Sequence, residues 1–196
     1  MKKINMLLVL ILSISLFGIG CTKGGSAGAD SPEDLFTKIK GFEQGNMGAI
    51  TDLVAPDELP LIAFSLDSAS AMMSLFSKDK SVAGEIKSLR EKYKLPDLSK
   101  AKINLSDPKS VEEFANKNYS DIDMKGFIID IEKVIDASSN KSKDTSKALY
   151  TELKDIKTEG DKATGTVILA DKSTRKITFR NIEGNWFLSI KDQMMK

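Results

Sequence analysis

The chain of 196 residues contains no histidine and only one cysteine, Cys21, and these absences exclude several kinds of chemistry. One cysteine cannot form a disulfide within the chain. Structural zinc sites built from Cys and His are excluded, as are Ser-His-Asp and Cys-His nucleophile pairs. The GxSxG, P-loop and Rossmann motifs are also missing. The sequence therefore indicates no catalytic residues and no cofactor.

The chain also lacks an excess of charge of either sign. It has 29 Lys+Arg against 28 Asp+Glu, and Lys2 and Lys3 belong to a segment that we expect to be removed. A nearly neutral protein has no broad electrostatic field to attract a polyanion. We therefore expect no nucleic-acid partner, and we interpret basic helix residues such as Arg90 and Lys92 as part of a solvated face.

The first 21 residues have the layout of a signal peptide that ends in cysteine. Lys2 and Lys3 are followed by an apolar run from Met6 to Phe17, and the small residue Gly20 stands directly before Cys21. The apolar run is short compared with the ~20 residues of a membrane-spanning helix. The pattern predicts a signal peptide at residues 1–20.

Residues 18–21, Gly-Ile-Gly-Cys, resemble a bacterial lipobox, although leucine is commonest at the position of Gly18. The resemblance implies cleavage between Gly20 and Cys21 and a diacylglyceryl group, with fatty acids such as palmitate, on the Cys21 thiol. It also implies an exported protein anchored in membrane lipid at the cell envelope, facing the periplasm or the cell surface. In the sorting rule of enteric bacteria Thr22 is not a retention signal, which favours the outer membrane. An ordinary signal peptide with a chance cysteine and an uncleaved anchor remain the alternatives.

After Cys21, the Gly- and Ser-rich residues up to Asp30 predict a flexible tether. Ser31-Pro32 is typical of a helix start, and Leu35, Phe36, Ile39 and Phe42 follow at helical spacing. A second short helix is predicted to carry Ala49, Ile50, Leu53 and Val54. Further helices are predicted at about Glu58–Phe76, Val82–Tyr93, from Ser110 onward and at Phe127–Ala137.

The character of the sequence changes after Ala148. Four β-branched runs, separated by short turns, predict an antiparallel meander with strands at Leu149–Thr158, Ala163–Ala170, Thr174–Ile182 and Trp186–Ile190. In the third strand, Ile177 and Phe179 are predicted to be buried and Thr178 and Arg180 to face water. We therefore predict an α+β fold in which N-terminal helices pack on a C-terminal four-stranded sheet. Residues 31–196 are predicted to form a single domain, of which 59–147 is a mainly helical insertion.

Two blocks, Ser31–Glu58 and Ile156–Ile190, resemble the nuclear-transport-factor-2-like (cystatin-like) domains of bacterial lipoproteins. The first has the helix, the Gly-Asn break and the short second helix. The second has GDKAT and GNWFL, which resemble strand-hairpin signatures of that family. The resemblance implies a curved sheet around a cone-shaped pocket, which some members use for catalysis and many only for binding. The long helical segment between the blocks departs from a compact member.

One segment superficially fits a calcium loop. Asp121, Asp123, Gly126 and Glu132 occupy its first, third, sixth and twelfth positions, but Lys125 stands where an oxygen ligand belongs. The alternative is a helix start capped by an aspartate, and on balance we predict no metal site.

Two groups of apolar residues are candidates for lining a ligand pocket. Met72, Met73 and Phe76 end the most apolar helix, and Trp186 and Phe187 lie in the last strand. Methionine adapts to irregular ligands, yet apolar residues in both kinds of position are more often ordinary core packing.

Three functions remain open from the sequence alone. The first is a lipid-anchored, non-enzymatic binding or interaction module with an unknown protein partner. The second is a carrier of a lipid or another apolar ligand. The third is an envelope enzyme based on Asp, Glu and Tyr, which would require residues such as Asp67, Tyr119 and Tyr150 to converge.

Overall fold

The computed structural model describes residues 27–40, 47–76, 80–138 and 150–191. These residues divide into two compact units. The described residues between 59 and 138 form the helical unit, and those of 27–58 and 150–191 form the sheet unit. The boundary at residue 59 is where the helical insertion was predicted to begin. The leader and Cys21 lie outside the described residues.

The sheet unit combines short helices with a four-stranded antiparallel sheet in the order β1-β2-β3-β4. Its helices are α1 (Pro32–Lys40), α2 (Met47–Ile50) and a 3₁₀ turn (Pro56–Glu58), and its strands are β1 (Tyr150–Glu159), β2 (Lys162–Leu169), β3 (Thr174–Ile182) and β4 (Asn185–Ser189). The prediction of an α+β fold with a C-terminal meander is confirmed.

Helix α1 starts as its sequence predicts. The Ser31 hydroxyl accepts a hydrogen bond of 3.0 Å from the backbone N–H of Asp34, which is the geometry of an N-cap. Leu35, Phe36 and Ile39 are buried, and they form the predicted apolar face. The fourth predicted member of that face, Phe42, lies outside the described residues.

The outer edge of β4 is covered by two earlier segments of the chain. Ala29 and Trp186 exchange a pair of backbone hydrogen bonds of 3.0 and 2.7 Å, and Leu188 bonds through its backbone to Leu53 and Ala55. Two predictions are corrected as a result. The flexible tether was predicted too long, because its residues 28 and 29 are already fixed to the sheet. The second helix ends at Ile50, because the next residues supply backbone groups to β4.

The predicted wet face of β3 is wrong at Thr178, which is only 3% exposed. Thr178 is paired in the sheet with Ser189, which is also buried. Strand β3 therefore has buried residues on both faces at this point, where simple alternation fails.

The helical unit contains four helices and a 3₁₀ turn among its described residues. They are α3 (Leu59–Phe76), α4 (Lys80–Lys92), the 3₁₀ turn (Leu98–Lys100), α5 (Pro108–Tyr119) and α6 (Met124–Ser138). Helix α3 packs against α4, α5 and α6. Helix α5 begins two residues before the predicted Ser110, because the Asp107 side chain accepts a hydrogen bond from the Lys109 N–H and caps it.

Aromatic rings contribute to the interior of the helical unit. Phe64 meets Phe114 and Tyr119 edge to face, with ring centroids 5.6 and 6.0 Å apart. Among the described residues, the stretch Pro56–Phe76 is the one helix that passes for a membrane span by length and composition. Its residues 61–67 are buried inside the protein, as in the core helix of a folded domain.

Strand β1 bends at a bulge opposite Gly165. The register of β1 against β2 shifts between Lys154 and Lys157, and Asp155 has a φ of 53°. A Cβ on Gly165 would lie 2.8 Å from Cδ1 of Leu153 and 3.3 Å from the backbone oxygen of Lys154. An alanine at position 165 would therefore require the end of the Leu153 side chain to move away from the bulge.

We predict that Gly165→Ala lowers the free energy of unfolding of the sheet unit by about 1–3 kcal/mol, because the added methyl group overpacks the contact with Leu153. Fluorescence of Trp186, the single tryptophan and a buried residue of β4, reports on unfolding in urea. The control is Thr164→Ala on the exposed face of the same strand. Equal midpoints for the two variants would contradict the prediction.

Candidate functional site

The polar chemistry of the described residues is concentrated around three carboxylates. Asp67 and Asp130 belong to the helical unit, and Glu58 belongs to the sheet unit. Each carboxylate accepts hydrogen bonds from several side chains or backbone groups. Their burial and their hydrogen-bond partners indicate whether they could act on a substrate or only stabilise the fold.

Asp67 lies at the centre of the helical unit and is 0% exposed. The Tyr119 hydroxyl, also fully buried, donates a hydrogen bond of 2.7 Å to Asp67 Oδ2, and the Arg90 guanidinium donates to Oδ1. Arg90 donates a second hydrogen bond of 2.7 Å to the backbone oxygen of Pro96. The network joins α3, α4 and α5 through one carboxylate.

Burial dominates the protonation equilibria of this network. Desolvation raises the pKa of Asp67, while the hydrogen bond from Tyr119 and the charge of Arg90 offset part of that rise. Burial and the neighbouring Asp67 charge together raise the pKa of Tyr119 far above its usual range. Tyr119 therefore remains a hydrogen-bond donor at any ordinary pH.

Asp130 holds a second cluster at the surface of the helical unit. Its carboxylate accepts hydrogen bonds of 2.6 Å from Lys92, 2.8 Å from the Tyr93 hydroxyl and 2.9 Å from Lys133. The hydrogen bonds from Lys92, Lys133 and Tyr93 hold the pKa of Asp130 well below its usual range. The Tyr93 ring also packs edge to face on Phe127, with centroids 5.5 Å apart.

Glu58 is the buried carboxylate of the sheet unit and is 0% exposed. Its Oε2 accepts hydrogen bonds from the consecutive backbone N–H groups of Ile190 and Lys191, at 2.5 and 3.0 Å. Its Oε1 accepts from the Ser189 hydroxyl at 2.8 Å and from Arg180 at 3.1 Å. The site resembles an anion-binding nest, and the protein fills it with its own side chain.

Arg180 joins Glu58 to its neighbour Asp57. Its Nη1 lies 3.0 Å from both carboxylate oxygens of Asp57, and the Lys191 ammonium lies 3.6 Å from Asp57 Oδ2. Partial burial alone would raise the pKa of Asp57. The hydrogen bond from Arg180 and the charges of Arg180 and Lys191 outweigh this effect, so the pKa of Asp57 lies below its ordinary value.

The residues named as enzyme candidates divide between the two units. Asp67 and Tyr119 meet directly, whereas Tyr150 lies in β1 of the sheet unit, where its ring packs on Phe36 with centroids 6.4 Å apart. Burial raises the pKa of Tyr150 to about 12. Asp67 and Tyr119 are both fully buried, and their polar groups are hydrogen-bonded to each other.

The segment from Asp121 to Glu132, which superficially fits a calcium loop, does not form one. Helix α6 begins at Met124, so that Gly126 and Glu132 are helical and Glu132 lies about 12 Å along the axis from the helix start. Asp123 accepts a hydrogen bond of 2.9 Å from the Gly126 N–H, which is N-cap geometry. Within the described ranges, no group of three acidic or cysteine side chains could hold a metal ion.

The pocket candidates fall in very different places. Trp186 and Phe187 are 9% and 5% exposed and belong to the core of the sheet unit. A Cβ on Gly28 would lie 2.9 Å from the Phe187 ring, which shows how closely that ring is covered. Met73 is half-buried and Met72 is exposed. Phe76 is 80% exposed, so its alternative interpretation as a core residue is wrong, and its side chain lies mainly in solvent.

Sequence reasoning missed the partners of all three carboxylates. Arg90 and Lys92 were interpreted as solvated, yet they contact Asp67 and Asp130. Glu58 was interpreted only as the first residue of a helix, and no partner was predicted for its carboxylate. The one available signal was Asp67, an isolated charged residue in an apolar helix. A buried carboxylate requires hydrogen-bond donors or a counter-ion, but the sequence does not identify them.

Comparisons with known proteins return no match: no family model, no curated protein and no solved structure is similar to this chain.

We predict that Arg90→Met lowers the free energy of unfolding of the helical unit by about 3–5 kcal/mol, because it leaves the buried Asp67 without a counter-ion. Far-UV circular dichroism in urea measures the loss. Lys87→Met, at an exposed position of the same helix, is the control, with a change below about 0.5 kcal/mol. Adding Asp67→Asn to Arg90→Met should recover part of the loss, and no recovery would contradict this account.

The lowered pKa of Asp130 predicts a pH dependence. A carboxylate whose pKa is lowered in the folded state stabilises the protein above its ordinary pKa of 3.8, and this contribution is lost as the pH falls through the lower value. Asp130→Asn should therefore cost about 1 kcal/mol near neutral pH and progressively less below pH 3.8. Urea unfolding at both pH values tests this, with the exposed Glu113→Gln as the control. A cost that grows in acid would refute it.

Proposed function

We propose that the mature protein is a lipoprotein of the bacterial cell envelope, anchored through acylated Cys21 and acting there as a non-enzymatic binding or interaction module. The observation that carries the proposal is the position of the only cysteine, which directly follows Gly20 and the apolar run of the leader. A chance cysteine would have had any of the 196 positions open to it.

The start of the folded body supports the anchor. Gly28 donates a backbone hydrogen bond of 2.7 Å to Asp52, and Ala29 pairs with Trp186. Five residues, 22–26, therefore separate Cys21 from residue 27, the first residue that the structure describes. The six Cα–Cα steps from Cys21 to residue 27 span at most about 20 Å when extended, which holds the sheet unit close to the bilayer surface. Two or more acyl chains give an anchor that one chain alone does not.

The state of the carboxylates supports a non-enzymatic role. Asp67, Asp130 and Glu58 are each occupied by donors from their own unit. Every buried side-chain nitrogen and oxygen in the described part of the chain has a hydrogen-bond partner. Groups that are satisfied internally stabilise the fold and leave little capacity for a substrate.

The enzyme remains the second candidate because Asp67 and Tyr119 converge and the pKa of Asp67 is raised. Perturbed carboxylates mark functional sites often enough to keep the hypothesis. Catalysis would require the core of the helical unit to open, since both side chains are 0% exposed.

We predict that Cys21→Ala blocks lipid attachment and leader removal together. The chain should then keep its 20-residue leader and run as the larger precursor, and it should take up no label from a radioactive fatty acid. Thr22→Ala is the matched control and should behave as the unaltered protein. Normal processing of Cys21→Ala would contradict the proposal.

A further inference from the structure

The C-terminal end of α3 carries an unusual group of exposed apolar side chains. Leu75 is 81% exposed and Phe76 is 80% exposed, and Met72, one turn earlier, is 39% exposed. We refer to these three residues as the apolar tip. The first half of the same helix is buried core, so the helix runs from the interior of its unit to a tip in solvent.

An exposed lysine lies near the apolar tip. Lys80, the next residue that the structure describes, is exposed and begins α4, which packs against α3. In the sequence, Ser77, Lys78 and Asp79 stand between Phe76 and Lys80. Lysines next to exposed aromatic and aliphatic side chains are typical of contacts at a membrane surface, where the stem lies in the interface and the ammonium reaches the headgroups.

We propose that the apolar tip inserts into the headgroup region of the bilayer that holds Cys21, as a second and reversible membrane contact; this inference rests on the proposed lipid anchor. Two apolar side chains alone bind a bilayer weakly. The short link after Cys21 keeps the protein at the membrane surface. The effective concentration of the apolar tip at the bilayer is therefore high, and even a weak contact is populated. Two membrane contacts together then fix an orientation that the lipid anchor alone leaves free.

The size of the apolar tip favours a bilayer over a second copy of the chain. Leu75 and Phe76 offer on the order of 300 Å² of apolar surface between them. A stable dimer requires about 800 Å² from each partner. Insertion into a lipid interface requires no matching surface, so a small protruding tip suffices.

Tryptophan fluorescence in vesicles tests the insertion on the full, lipidated protein. Phe76→Trp adds a reporter at the tip, and the unaltered protein, whose only tryptophan is the buried Trp186, supplies the baseline. Leu105→Trp is the matched control, since Leu105 is an apolar residue of the same unit and is 59% exposed. The vesicles contain phosphatidylcholine and phosphatidylglycerol, with and without bromine on the acyl chains.

We expect brominated lipid to reduce the added emission of Phe76→Trp by about twofold or more, with a shift to the blue, and to leave Leu105→Trp unchanged. Equal quenching of the two variants would overturn the inference, as would a blue shift that depends on protein concentration and not on lipid. If the protein floats with the vesicles while the tip remains unquenched, the inference fails and the anchor stands. If the protein does not float with the vesicles, the anchor fails, and the inference fails with it.

Discussion

The buried carboxylate of Glu58 is the interaction on which the architecture of the sheet unit depends. It is the last residue before the helical unit, and it accepts hydrogen bonds from Arg180 of β3, from the Ser189 hydroxyl at the end of β4 and from the two backbone N–H groups that follow. A charge with no exposure requires this full set of donors, because burying it unpaired would cost several kcal/mol. The chain therefore leaves the sheet unit at a defined place, next to the strand that ends the meander.

The same principle recurs at Asp67 and, closer to the surface, at Asp130. In each case one carboxylate joins elements that are distant in sequence, as when Tyr119 and Arg90 meet on Asp67. Buried ion pairs add little net stability compared with apolar packing, but they are strongly unfavourable when half of the pair is missing. They therefore favour one arrangement of the helices over others.

Local features of the fold could be predicted from the sequence, and contacts between distant residues could not. The start of α1 at Ser31-Pro32 and the four strands follow from capping and alternation, and both are confirmed within one or two residues. Thr178 was predicted to face water but is buried, because nothing in β3 itself indicates that this face of the strand is covered. The second short helix was predicted too long for a related reason. Leu53 and Ala55 form backbone hydrogen bonds to Leu188 of β4, which lies far along the chain.

The candidate site shows the same division. The proposed lipidation site is a local pattern of four residues, and a local pattern is what a sequence can suggest by itself. The partners of Asp67 and Glu58 are separated from them by up to 133 positions, and no spacing rule connects them. The exposure of Phe76 could not be predicted either. An apolar residue at the end of a helix gives the same sequence pattern whether it lies in a core or at the surface.

The central claim is that a folded α+β body works while tied to lipid by one thiol. Mass spectrometry of the N-terminal peptide from the native membrane-extracted protein tests it most directly. The account predicts a peptide that begins at Cys21 and carries fatty acyl groups. A peptide that begins at Met1, or one with an unmodified Cys21, would contradict it.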